Sequence, residues 1–422
     1  MSSKQTIVIL GAGFAGLSIS KSLDAKLFDI VLIDRLNHHQ FQPLFYQVAA
    51  AQLEPSSISF PIRNILRNKK HIAVKMCEVL NIDPAAKLVQ TETENIPYDK
   101  LVIATGCKTN FFNNISIEKN AFTLKSTTEA IQVRNHLLEV FEALSSSSQE
   151  NSDPRNNIVI VGGGPTGVEL AGAFSEIIKR VLPEEYPLID SKKMKVILVE
   201  GSAHTLNNMS DLAKVSSEKY LKQMGVEIIT ETFVKDYDGK VAVLSSGQTL
   251  ETSTLIWAAG VKGNILPGLA SEAYLPNSRY KVNRHNEVFN HNDIYAIGDI
   301  AYMETPLYPK GHPQVANVAI NQANNLAKNF KRALKSEAPK PYEYLDLGAM
   351  ATIGKNKAVV DLPFMRFKGF IAWLVWMFLH LMLILSVRNK LIILIHWSWA
   401  YFSSDSSLRL IFKAKPKLAI KD

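Results

Sequence analysis

Two glycine-rich turns of the same pattern decide the fold, Ile7-Val-Ile-Leu-Gly11-Ala-Gly13-Phe-Ala-Gly16 and Ile158-Val-Ile-Val-Gly162-Gly-Gly164-Pro-Thr-Gly167. Each turn lies between an apolar strand and a helix. Its three glycines allow a tight turn, a close approach of the backbone to a pyrophosphate, and close packing of the helix on the strand. The helix N-terminus then offers N–H groups to the phosphates. The sequence therefore predicts an α/β protein with two Rossmann-like dinucleotide-binding domains.

An acidic residue at the end of the next strand supports both predictions, because a carboxylate there binds the ribose hydroxyls. Asp34 ends the strand after the first turn, at the usual spacing of about 20 residues. Glu200 ends the strand after the second turn but comes later, so we expect a lengthened helix and loop over residues 176–194. Two dinucleotides on one chain indicate electron transfer between a flavin and a nicotinamide.

The composition is typical of a globular protein of two or three domains, with 422 residues of which 47% are apolar and 20% charged. The two cysteines, Cys77 and Cys107, are thirty positions apart. This excludes a disulfide framework, and also a redox-active disulfide unless the two meet in space. No group of histidine, cysteine and carboxylate residues has metal-ligand spacing, so no metal is expected. The first strand begins near Thr6, which leaves no room for a targeting peptide, and we expect the chain to stay where it is made.

Shifts in composition along the chain predict its domain organisation. The polar stretch 145–154 is the clearest boundary. Residues 101–106 and 254–260 end the two nucleotide-binding halves with similar apolar strands and small-residue turns, which indicates an internal duplication. We predict two nucleotide-binding domains, the first of them split in sequence, and a C-terminal membrane-association region of amphipathic helices. The predicted ranges are 1–150 and 271–345 for the first domain, 151–270 for the second, and 346–422 for the membrane-anchoring region.

The C-terminal region carries most of the net charge of +8. Residues 364–422 contain nine basic and two acidic side chains interleaved with a long apolar run, which favours an anionic lipid surface over nucleic acid. The uncharged run 370–387 has eighteen residues, the threshold length of a membrane-spanning helix. Three interpretations stay open: a spanning helix, a buried dimer helix, and interfacial helices lying on the bilayer, which we favour. The aromatic residues typical of a water–lipid boundary are Trp373, Trp376, Trp397, Trp399 and Tyr401.

With these motifs in view, the chain resembles the type II NADH dehydrogenases, the single-subunit, non-pumping NADH:quinone oxidoreductases of respiratory membranes. The resemblance covers essentially the whole length. It implies FAD as cofactor, NADH as substrate and a membrane quinone as acceptor. It also implies a peripheral, monotopic protein on the cytoplasmic face of a bacterial inner membrane, docked on the lipid through residues 364–422, and it leaves a homodimer open. The segments that carry it are Gly11-Ala-Gly-Phe-Ala-Gly16, Phe41-Gln-Pro-Leu-Phe-Tyr-Gln-Val-Ala49, Gly162-Gly-Gly-Pro-Thr-Gly-Val-Glu-Leu-Ala-Gly172, Tyr295-Ala-Ile-Gly-Asp299, Pro313-Gln-Val-Ala316, Gly348-Ala-Met-Ala-Thr-Ile-Gly354 and Gly369-Phe-Ile-Ala-Trp373.

The resemblance also implies which residues bind each cofactor. The helix that begins near Ala316 points its dipole at the flavin ring, where it stabilises negative charge. Glu200, with no arginine after it, repels a 2′-phosphate and predicts a preference for NADH over NADPH. FAD is expected on Gly11, Gly13, Phe14, Ala15, Gly16, Asp34, Arg35, Val79, Ala104, Thr105, Gly106, Asp299 and Ala316. NADH is expected on Gly162, Gly164, Pro165, Thr166, Gly167, Glu169, Glu200 and Gly260.

Four residues are candidates for the chemistry: Glu169, Asn317, Asn321 and Gln322. By the resemblance, Glu169 lies near both rings and orients the nicotinamide or delivers a proton to the quinone, which requires a raised pKa. The alternative is a first-turn acid that complements the helix dipole.

The amide residues mark a departure from the family pattern A-Q-x-A-x-Q, whose glutamines face the quinone. Asn317 and Asn321 replace those glutamines, and their reach is shorter by about 1.5 Å. Contact with the quinone then runs through water, runs through Gln322, or is weakened. The alternative is two surface amides on a helix. His380, in the apolar run, is expected to serve in packing or headgroup contact.

Three other functions have different requirements. A sulfide:quinone oxidoreductase needs cysteines near the flavin, and Cys77 and Cys107 are badly placed in sequence for that. A soluble reductase of ferredoxin-like proteins has no use for the apolar C-terminal region. A redox sensor binds flavin and NADH without turnover. The sequence favours the NADH:quinone oxidoreductase.

Overall fold

The computed structural model describes residues 4–147, 149–403 and 408–411. The chain divides into two compact units, each built from three segments. Unit 1 comprises Met1–Gln40, Ser59–Thr109 and Val261–Asp346, and unit 2 comprises Phe41–Ile58, Asn110–Gly260 and Leu347–Asp422.

The strands are β1 (Gln5–Leu10), β2 (Phe28–Asp34), β3 (His38–Gln40), β4 (Ser59–Pro61), β5 (Ile72–Met76), β6 (Val79–Asp83), β7 (Leu88–Thr91), β8 (Asn95–Pro97), β9 (Lys100–Ile103), β10 (Cys107–Thr109), β11 (Asn157–Val161), β12 (Lys195–Val199), β13 (Val226–Ile229), β14 (Val234–Tyr237), β15 (Val241–Leu244), β16 (Thr249–Glu251), β17 (Thr254–Trp257), β18 (Val261–Gly263), β19 (Tyr280–Lys281), β20 (Ile294–Ala296), β21 (Ala301–Tyr302), β22 (Ala349–Gly354), β23 (Lys357–Asp361) and β24 (Arg366–Lys368). The α-helices are α1 (Phe14–Ser22), α2 (Phe45–Ala49), α3 (Ile62–Ile65), α4 (Ile115–Asn120), α5 (Thr127–Ser145), α6 (Pro165–Glu176), α7 (Leu182–Glu185), α8 (Asp211–Gln223), α9 (Ala316–Ala333), α10 (Phe370–Leu383) and α11 (Val387–Ser403).

Unit 1 is built on a five-stranded parallel sheet in the order β20-β9-β1-β2-β5. The central strand β1 is buried on both faces, as expected for a parallel strand covered on each side. Ile7 and Ile9 belong to an apolar cluster with residues of α1 and α9, whereas Val8 and Leu10 belong to a second cluster with residues of β6, β7 and β8. The sheet therefore holds the first nucleotide turn at the carboxyl end of its central strand.

Unit 2 repeats this plan with a four-stranded parallel sheet in the order β13-β12-β11-β17. Helix α6 follows β11 and packs against a second, antiparallel sheet formed by β22, β23 and β24. At this crossing a Cβ on Gly172 would lie 1.7 Å from the Ile353 carbonyl oxygen. Glycine is therefore required for α6 to lie against β22, and the C-terminal sheet approaches the helix that carries the second nucleotide turn.

The compact units divide at other positions than the sequence predicted. Residues 110–147 lie in unit 2 instead of closing the first domain. The Phe122 N–H donates to a β17 carbonyl at 2.9 Å, and His136 Nε2 lies 2.9 Å from the Thr254 hydroxyl of β17. Because these bonds join the segment to the edge of the unit 2 sheet, the polar stretch 145–154 is a connection within that unit. The pairing of β10 with β18 likewise places the end of the predicted NADH range in unit 1.

The C-terminal apolar run forms two helices, since α10 ends at Leu383 and α11 begins at Val387. The Asn389 side-chain amide donates to the carbonyls of Ser56 and Ser57 at 3.1 and 2.9 Å, which fixes the start of α11. Among the described residues, no helix combines the length and the apolar character needed to cross a membrane. The charged residues of the predicted membrane region that lie outside the described residues are Asp405, Lys413, Lys415, Lys417, Lys421 and Asp422.

Candidate active site

The first nucleotide turn, in unit 1, is closed on one side and open on the other. Gly11 has a φ of 100°, and a Cβ there would lie 2.5 Å from the Ala104 carbonyl oxygen. A Cβ on Gly16 would lie 1.8 Å from the Gly11 carbonyl oxygen. An added Cβ on Gly13 would meet no atom within 4 Å. Packing thus requires glycine at the first and third positions, while the second adjoins a space that a phosphate can enter.

The helix that follows this turn is suited to an anion. Helix α1 begins at Phe14 with no side-chain cap and no acid in its first turn, so its first N–H groups can bind a pyrophosphate. The Asp34 carboxylate accepts hydrogen bonds from the Ala12 N–H at 2.6 Å and the Leu36 N–H at 2.8 Å. Burial raises the pKa of Asp34, against the lowering by these two bonds. The residues fit a dinucleotide such as FAD, because the Asp34 oxygens keep lone pairs for ribose hydroxyls.

Later segments of unit 1 bring a second acid to the same edge of the sheet. Asp299 follows β20, which pairs with β9, so it lies near the turn after β9. The Cys107 thiol donates to an Asp299 carboxylate oxygen at 3.2 Å, and the Gln314 amide donates to the Asp299 carbonyl at 3.0 Å. The Thr105 hydroxyl donates to a backbone carbonyl of the loop after β18 at 2.7 Å. The structure therefore brings three predicted FAD residues together, Thr105, Gly106 and Asp299.

The remaining predicted FAD residues also lie in unit 1. Ala15 and Ala104 are buried, and Arg35 is exposed. Val79 begins β6, and Ala316 begins α9 without a side-chain cap. The uncapped start of α9 suits the predicted dipole contact, and the individual roles of these residues stay predictions.

The predicted amide residues on α9 occupy different environments. Asn321 Nδ2 donates to Asn317 Oδ1 at 2.9 Å, so the two amides pair along the helix. Gln322 is fully buried, and its Oε1 accepts the Gly298 N–H at 2.8 Å. Gln322 therefore holds the turn that precedes Asp299. This position differs from the predicted quinone contact, because the side chain is enclosed by unit 1.

The second nucleotide turn, in unit 2, has the same construction. A Cβ on Gly162 would lie 2.6 Å from the Ala258 carbonyl oxygen, and one on Gly167 would lie 1.8 Å from the Gly162 carbonyl oxygen. An added Cβ on Gly164 again meets nothing within 4 Å. Helix α6 begins at Pro165 without a side-chain cap. This turn therefore also fits a dinucleotide.

Glu200 supports the second turn as Asp34 supports the first. Its carboxylate accepts hydrogen bonds from the Gly163 N–H at 2.5 Å and the Ser202 N–H at 2.6 Å. Thr166 is exposed in the first turn of α6, and Gly260, just after β17, has a φ of 148°. The predicted NADH residues other than Glu169 thus lie at the carboxyl edge of the unit 2 sheet or at the start of α6.

Unit 2 also contains a cavity of about 160 Å³. Helices α2, α6, α10 and α11 and strand β22 supply its walls. An apolar cavity with a few polar groups is the usual form of a small-molecule site. The aromatic side chains in the wall are Tyr46, Trp373, Trp376, Trp397 and Tyr401, and the other polar side chains are Gln47, Gln52, Glu169, Glu176, Arg180, Thr352, Lys355 and Arg409.

Glu169 is a buried carboxyl in this wall, with 9% of its surface exposed. Burial raises the pKa of Glu169 to about 8, and the Thr352 N–H, 3.5 Å from its Oε1, and the Trp376 indole lower it by less. The group therefore holds a proton at neutral pH and can release it into the cavity. Glu169 lies beyond the first turn of α6, so the alternative of a first-turn acid complementing the dipole is not supported.

A second carboxyl, Glu176, lines the same cavity two helical turns further along α6. It accepts the Lys355 N–H at 2.7 Å, and burial raises its pKa against the lowering by that bond and by nearby cations. The Lys355 ammonium lies 4.3 Å from the centroid of the Tyr401 ring. A π-helical turn, Ile177–Val181, continues the wall, and such turns are frequent at functional sites. This part of the wall is polar, in contrast to the aromatic part.

The structure corrects the predicted position of two tryptophans. Only 1% of Trp376 and 9% of Trp397 is exposed, and their ring centroids are 5.9 Å apart in the cavity wall, away from a water–lipid boundary. Trp399, with 63% exposed, keeps the predicted accessible position. His380 stacks on Trp376 at 4.0 Å, and burial lowers its pKa to about 4. His380 is therefore a neutral packing partner.

Sequence reasoning missed Tyr46 and Gln47 as site residues. Both belong to the apolar segment 41–49, and a tyrosine next to a glutamine inside such a segment is a signal that polar groups face a site. Asn317 and Asn321 are not among the residues that line the cavity. The cavity therefore adds candidate residues that differ from the predicted amides.

Comparisons with known proteins assign this arrangement to a family. Residues 5–323 match the pyridine nucleotide-disulphide oxidoreductase family, and residues 347–409 match the NDH2 C-terminal domain. The type II NADH:quinone oxidoreductase of Mycobacterium tuberculosis is 33% identical over 417 residues, which cover 95% of this chain and 89% of that protein. The chain belongs to the type II NADH:quinone oxidoreductases. The predicted family is confirmed.

Solved structures share the fold of this type II chain. NDH2 from Plasmodium falciparum, solved in complex with NADH, has a TM-score of 0.88 at 22% identity and covers 97% of this chain and 100% of its own. The sulfide:quinone oxidoreductase of Aquifex aeolicus has a TM-score of 0.73 at 20% identity, with 95% and 96% covered. The α/β fold is therefore confirmed. The sulfide alternative is not favoured, since the family is that of the NADH enzymes and Cys77 is buried in the core of unit 1.

Proposed function

We propose that this NADH:quinone oxidoreductase, whose cofactor is FAD, binds the quinone ring in the cavity of unit 2. FAD, when bound, would supply the means of accepting a hydride from NADH and passing two electrons to the acceptor. One observation carries the proposal: α6 begins at the second nucleotide turn and places the protonated carboxyl of Glu169 in the wall of an aromatic cavity. Such a cavity offers apolar surface to the quinone ring and a proton to its carbonyl oxygen.

The two nucleotide turns divide the cofactor binding between the units. In unit 1 the first turn, Asp34 and Asp299 would hold FAD, and the uncapped start of α9 would stabilise negative charge on the flavin. In unit 2 the second turn and Glu200 bind NADH. Glu200 already accepts two backbone N–H groups, and a 2′-phosphate beside this carboxylate would be repelled, which favours NADH over NADPH.

Glu169 supplies the proton that quinone reduction requires. One NADH and one proton from solution convert a quinone to a quinol, so one proton must enter the site in each cycle. Because the pKa of Glu169 is raised to about 8 by burial, the carboxyl is mostly protonated at pH 7 and gives its proton at the cavity wall. It then reloads from water before the next cycle.

Asn317 and Asn321 lie in unit 1 and do not line this cavity, and their role toward the quinone stays a prediction. The pair keeps the amide chemistry of the family glutamines but is shorter in reach by about 1.5 Å. Asn317→Gln and Asn321→Gln should each improve kcat/KM for a quinone if the amides face it. Unchanged kinetics in both variants would remove these amides from the site.

The outer surfaces of α10 and α11 are proposed to lie on a lipid bilayer. Exposed Arg366, Lys368 and Arg388 lie in the same region and can contact anionic headgroups. We place the protein peripherally on the cytoplasmic face of a bacterial inner membrane, where NADH is available. The exposed apolar side chains are Phe370, Ile371, Leu374, Phe378, Met382, Leu383, Val387, Leu391, Leu394, Ile395, Trp399 and Phe402.

Flotation with vesicles tests the membrane proposal. The protein should rise with vesicles that contain an anionic lipid and less with zwitterionic ones, and replacing Ile371, Phe378 and Ile395 by serine should reduce the bound fraction. Recovery of the unaltered protein in the lipid-free fraction would overturn it. Sedimentation in mild detergent then decides between a monomer and a homodimer.

Anaerobic stopped-flow spectroscopy tests the enzymatic proposal. NADH should bleach the flavin absorbance of the purified protein, and a short-chain benzoquinone should restore it. Bleaching without reoxidation by the quinone would favour a redox sensor over an NADH:quinone oxidoreductase. Bleaching by sulfide alone would support the sulfide alternative.

A further inference from the structure

Three side chains in the cavity wall form a hydrogen-bonded chain within unit 2. Trp397 Nε1 lies 2.8 Å from Gln47 Oε1, and Gln47 Nε2 lies 2.8 Å from the Tyr46 hydroxyl oxygen. All three residues line the cavity, and each has less than a tenth of its surface exposed. Each of these three side chains needs its hydrogen-bond partner, because a buried polar group without a partner destabilises the folded protein.

Chemistry allows only one direction for these hydrogen bonds. An indole N–H only donates, so the Gln47 oxygen must face Trp397. The NH₂ group of Gln47 then faces Tyr46 and, since it also only donates, the Tyr46 oxygen must accept. The phenol proton of Tyr46 therefore points away from Gln47. Within the described part of the chain, the Tyr46 hydroxyl has no protein acceptor for that proton.

We infer that Tyr46 donates a hydrogen bond to a carbonyl oxygen of the quinone, and that Gln47 and Trp397 are positioning residues that direct this donor. The inference rests on the proposed quinone site. An oxidised quinone carries acceptors and no donors on its two carbonyl oxygens, so a donor with fixed direction selects and orients it. Such a bond also withdraws electron density from the carbonyl and favours its reduction.

Tyr46 and Glu169 then have separate tasks at the same cavity. Burial raises the pKa of Tyr46 well above its usual value, and the nearby Glu169 and Glu176 carboxyls raise it further. The phenol therefore keeps its proton during turnover and acts as a hydrogen-bond donor alone. Glu169, whose pKa lies near 8, is the group that gives up a proton.

Tyr46→Phe removes the donor and keeps the ring. We expect kcat/KM for a short-chain benzoquinone to fall about tenfold, the usual effect of losing one hydrogen bond to a bound polar group. Flavin bleaching by NADH should not change. The rate with ferricyanide, which takes electrons without offering a carbonyl, should not change either. Tyr274→Phe, in unit 1, is the matched control and should leave all three rates unchanged.

Trp397→Phe tests the positioning residues, because the Gln47 amide can then flip and accept the phenol proton. We expect about a threefold loss of kcat/KM for the quinone, and no further loss when this change is added to Tyr46→Phe. Tyr237→Phe removes a buried hydrogen bond elsewhere in unit 2, from the Tyr237 hydroxyl to the Thr252 carbonyl, and should leave kcat/KM for the quinone unchanged. Additive losses in the double variant would overturn the positioning role of Trp397.

Two outcomes separate this inference from the proposed quinone site. Ala400→Phe fills the cavity wall with a ring, and quinone reduction at the wild-type rate in that variant would refute the site itself. If Ala400→Phe blocks quinone reduction while Tyr46→Phe stays within twofold of the wild type, only the donor role of Tyr46 is refuted. Equal losses with quinone and ferricyanide in Tyr46→Phe would show a structural effect and would also refute the donor role. Thermal unfolding and flavin content of each variant confirm that the chain is folded.

Discussion

The two nucleotide turns of this molecule are nearly identical in construction, whereas the helices after them carry different side chains. In both turns, a Cβ at the third glycine would lie 1.8 Å from the carbonyl oxygen of the first, and a carboxylate from the next strand accepts a backbone N–H of the turn. Two residues past the third glycine, α1 carries Ser18 and α6 carries Glu169. The shared part is proposed to bind a dinucleotide, and the differing part is proposed to carry the proton chemistry.

The helices differ in length and surroundings as well. Helix α1 has 9 residues and packs within unit 1, whereas α6 has 12 residues and continues through a π-helical turn along the cavity. A duplicated turn can therefore keep its role in nucleotide binding while the helix that follows it acquires a different role. This comparison predicts that substitutions in the turns affect cofactor binding in a unit-specific way, and that substitutions past the turns affect chemistry.

The largest effect is expected when the third glycine of each turn is replaced. Gly16→Ala should yield a colourless or unfolded protein, because its Cβ collides with backbone that cannot move far, at a cost of about 3 kcal/mol or more. Gly167→Ala should stay yellow but lose bleaching by NADH. In both variants, flavin absorbance measures the cofactor content and anaerobic bleaching measures reduction by NADH. Ser18→Ala is the control. Normal bleaching in Gly167→Ala would contradict the proposal that FAD binds to unit 1 and NADH to unit 2.

Glu169→Gln should lower quinone reduction at pH 7 by about 100-fold or more, since the cavity loses its proton donor. Bleaching by NADH should change little, and Glu227→Gln, on the exposed side of β13, is the control. The wild-type rate should be flat below pH 8 and fall above it, because ionisation of a group with a pKa of about 8 removes the donor. The variant should lack this fall. A pH profile shared by both proteins would assign the proton to another group.

Glu169→Gln should also change how the free energy of unfolding depends on pH. Burial raises the pKa of Glu169 from 4.5 in the unfolded chain to about 8, so the bound proton stabilises the native state fully below the lower value. That contribution is lost as pH rises from 4.5 through 8, and amounts to roughly 5 kcal/mol. Urea unfolding at pH 5 and pH 9 should show the wild type losing stability relative to Glu169→Gln. Parallel curves would mean that Glu169 is ionised in the folded protein.

Glu200→Gln should narrow the preference for NADH over NADPH by about tenfold, because the charge that repels a 2′-phosphate is removed. The ratio of bleaching rates with the two nucleotides measures it. Asp211→Asn, an exposed acid on α8, should leave the ratio unchanged. An unchanged ratio in Glu200→Gln would place selectivity elsewhere in unit 2.

Cys107→Ser should have the smallest effect, within about twofold on NADH:quinone activity, because a hydroxyl can replace the thiol as donor to Asp299. Steady-state rates with NADH and with sulfide measure it. Loss of most activity would give the thiol a redox role and revive the sulfide alternative.

The sequence predicted the parts of the fold that depend on local pattern. Both nucleotide turns, the lengthened connection after Glu176 and the helix that begins at Ala316 lie where expected, because glycine spacing and apolar periodicity specify them. The boundaries of the units were not predictable in this way. Residues 110–147 join unit 2 through bonds to β17, and a pairing between distant segments leaves no mark in local composition.

The candidate site was predicted only in part. Glu169 was found because its distance from a recognisable turn is short. Gln47 and Trp397 were missed because they are 350 positions apart and meet only in the folded chain. Tryptophan in an apolar run is equally suited to a bilayer surface and to a cavity wall, so the pattern did not separate Trp376 from Trp399.

The bond between Gln47 and Trp397 also sets an order on the maturation of the enzyme during synthesis. Both glycine turns precede residue 170 and can form while the ribosome is still extending the chain. Asn389 and Trp397 must emerge from the exit tunnel before the segment 41–58 acquires its partners on α11. A nascent polypeptide can therefore form its two nucleotide turns early, whereas the proposed quinone cavity is completed last, together with the helices proposed to lie on the membrane.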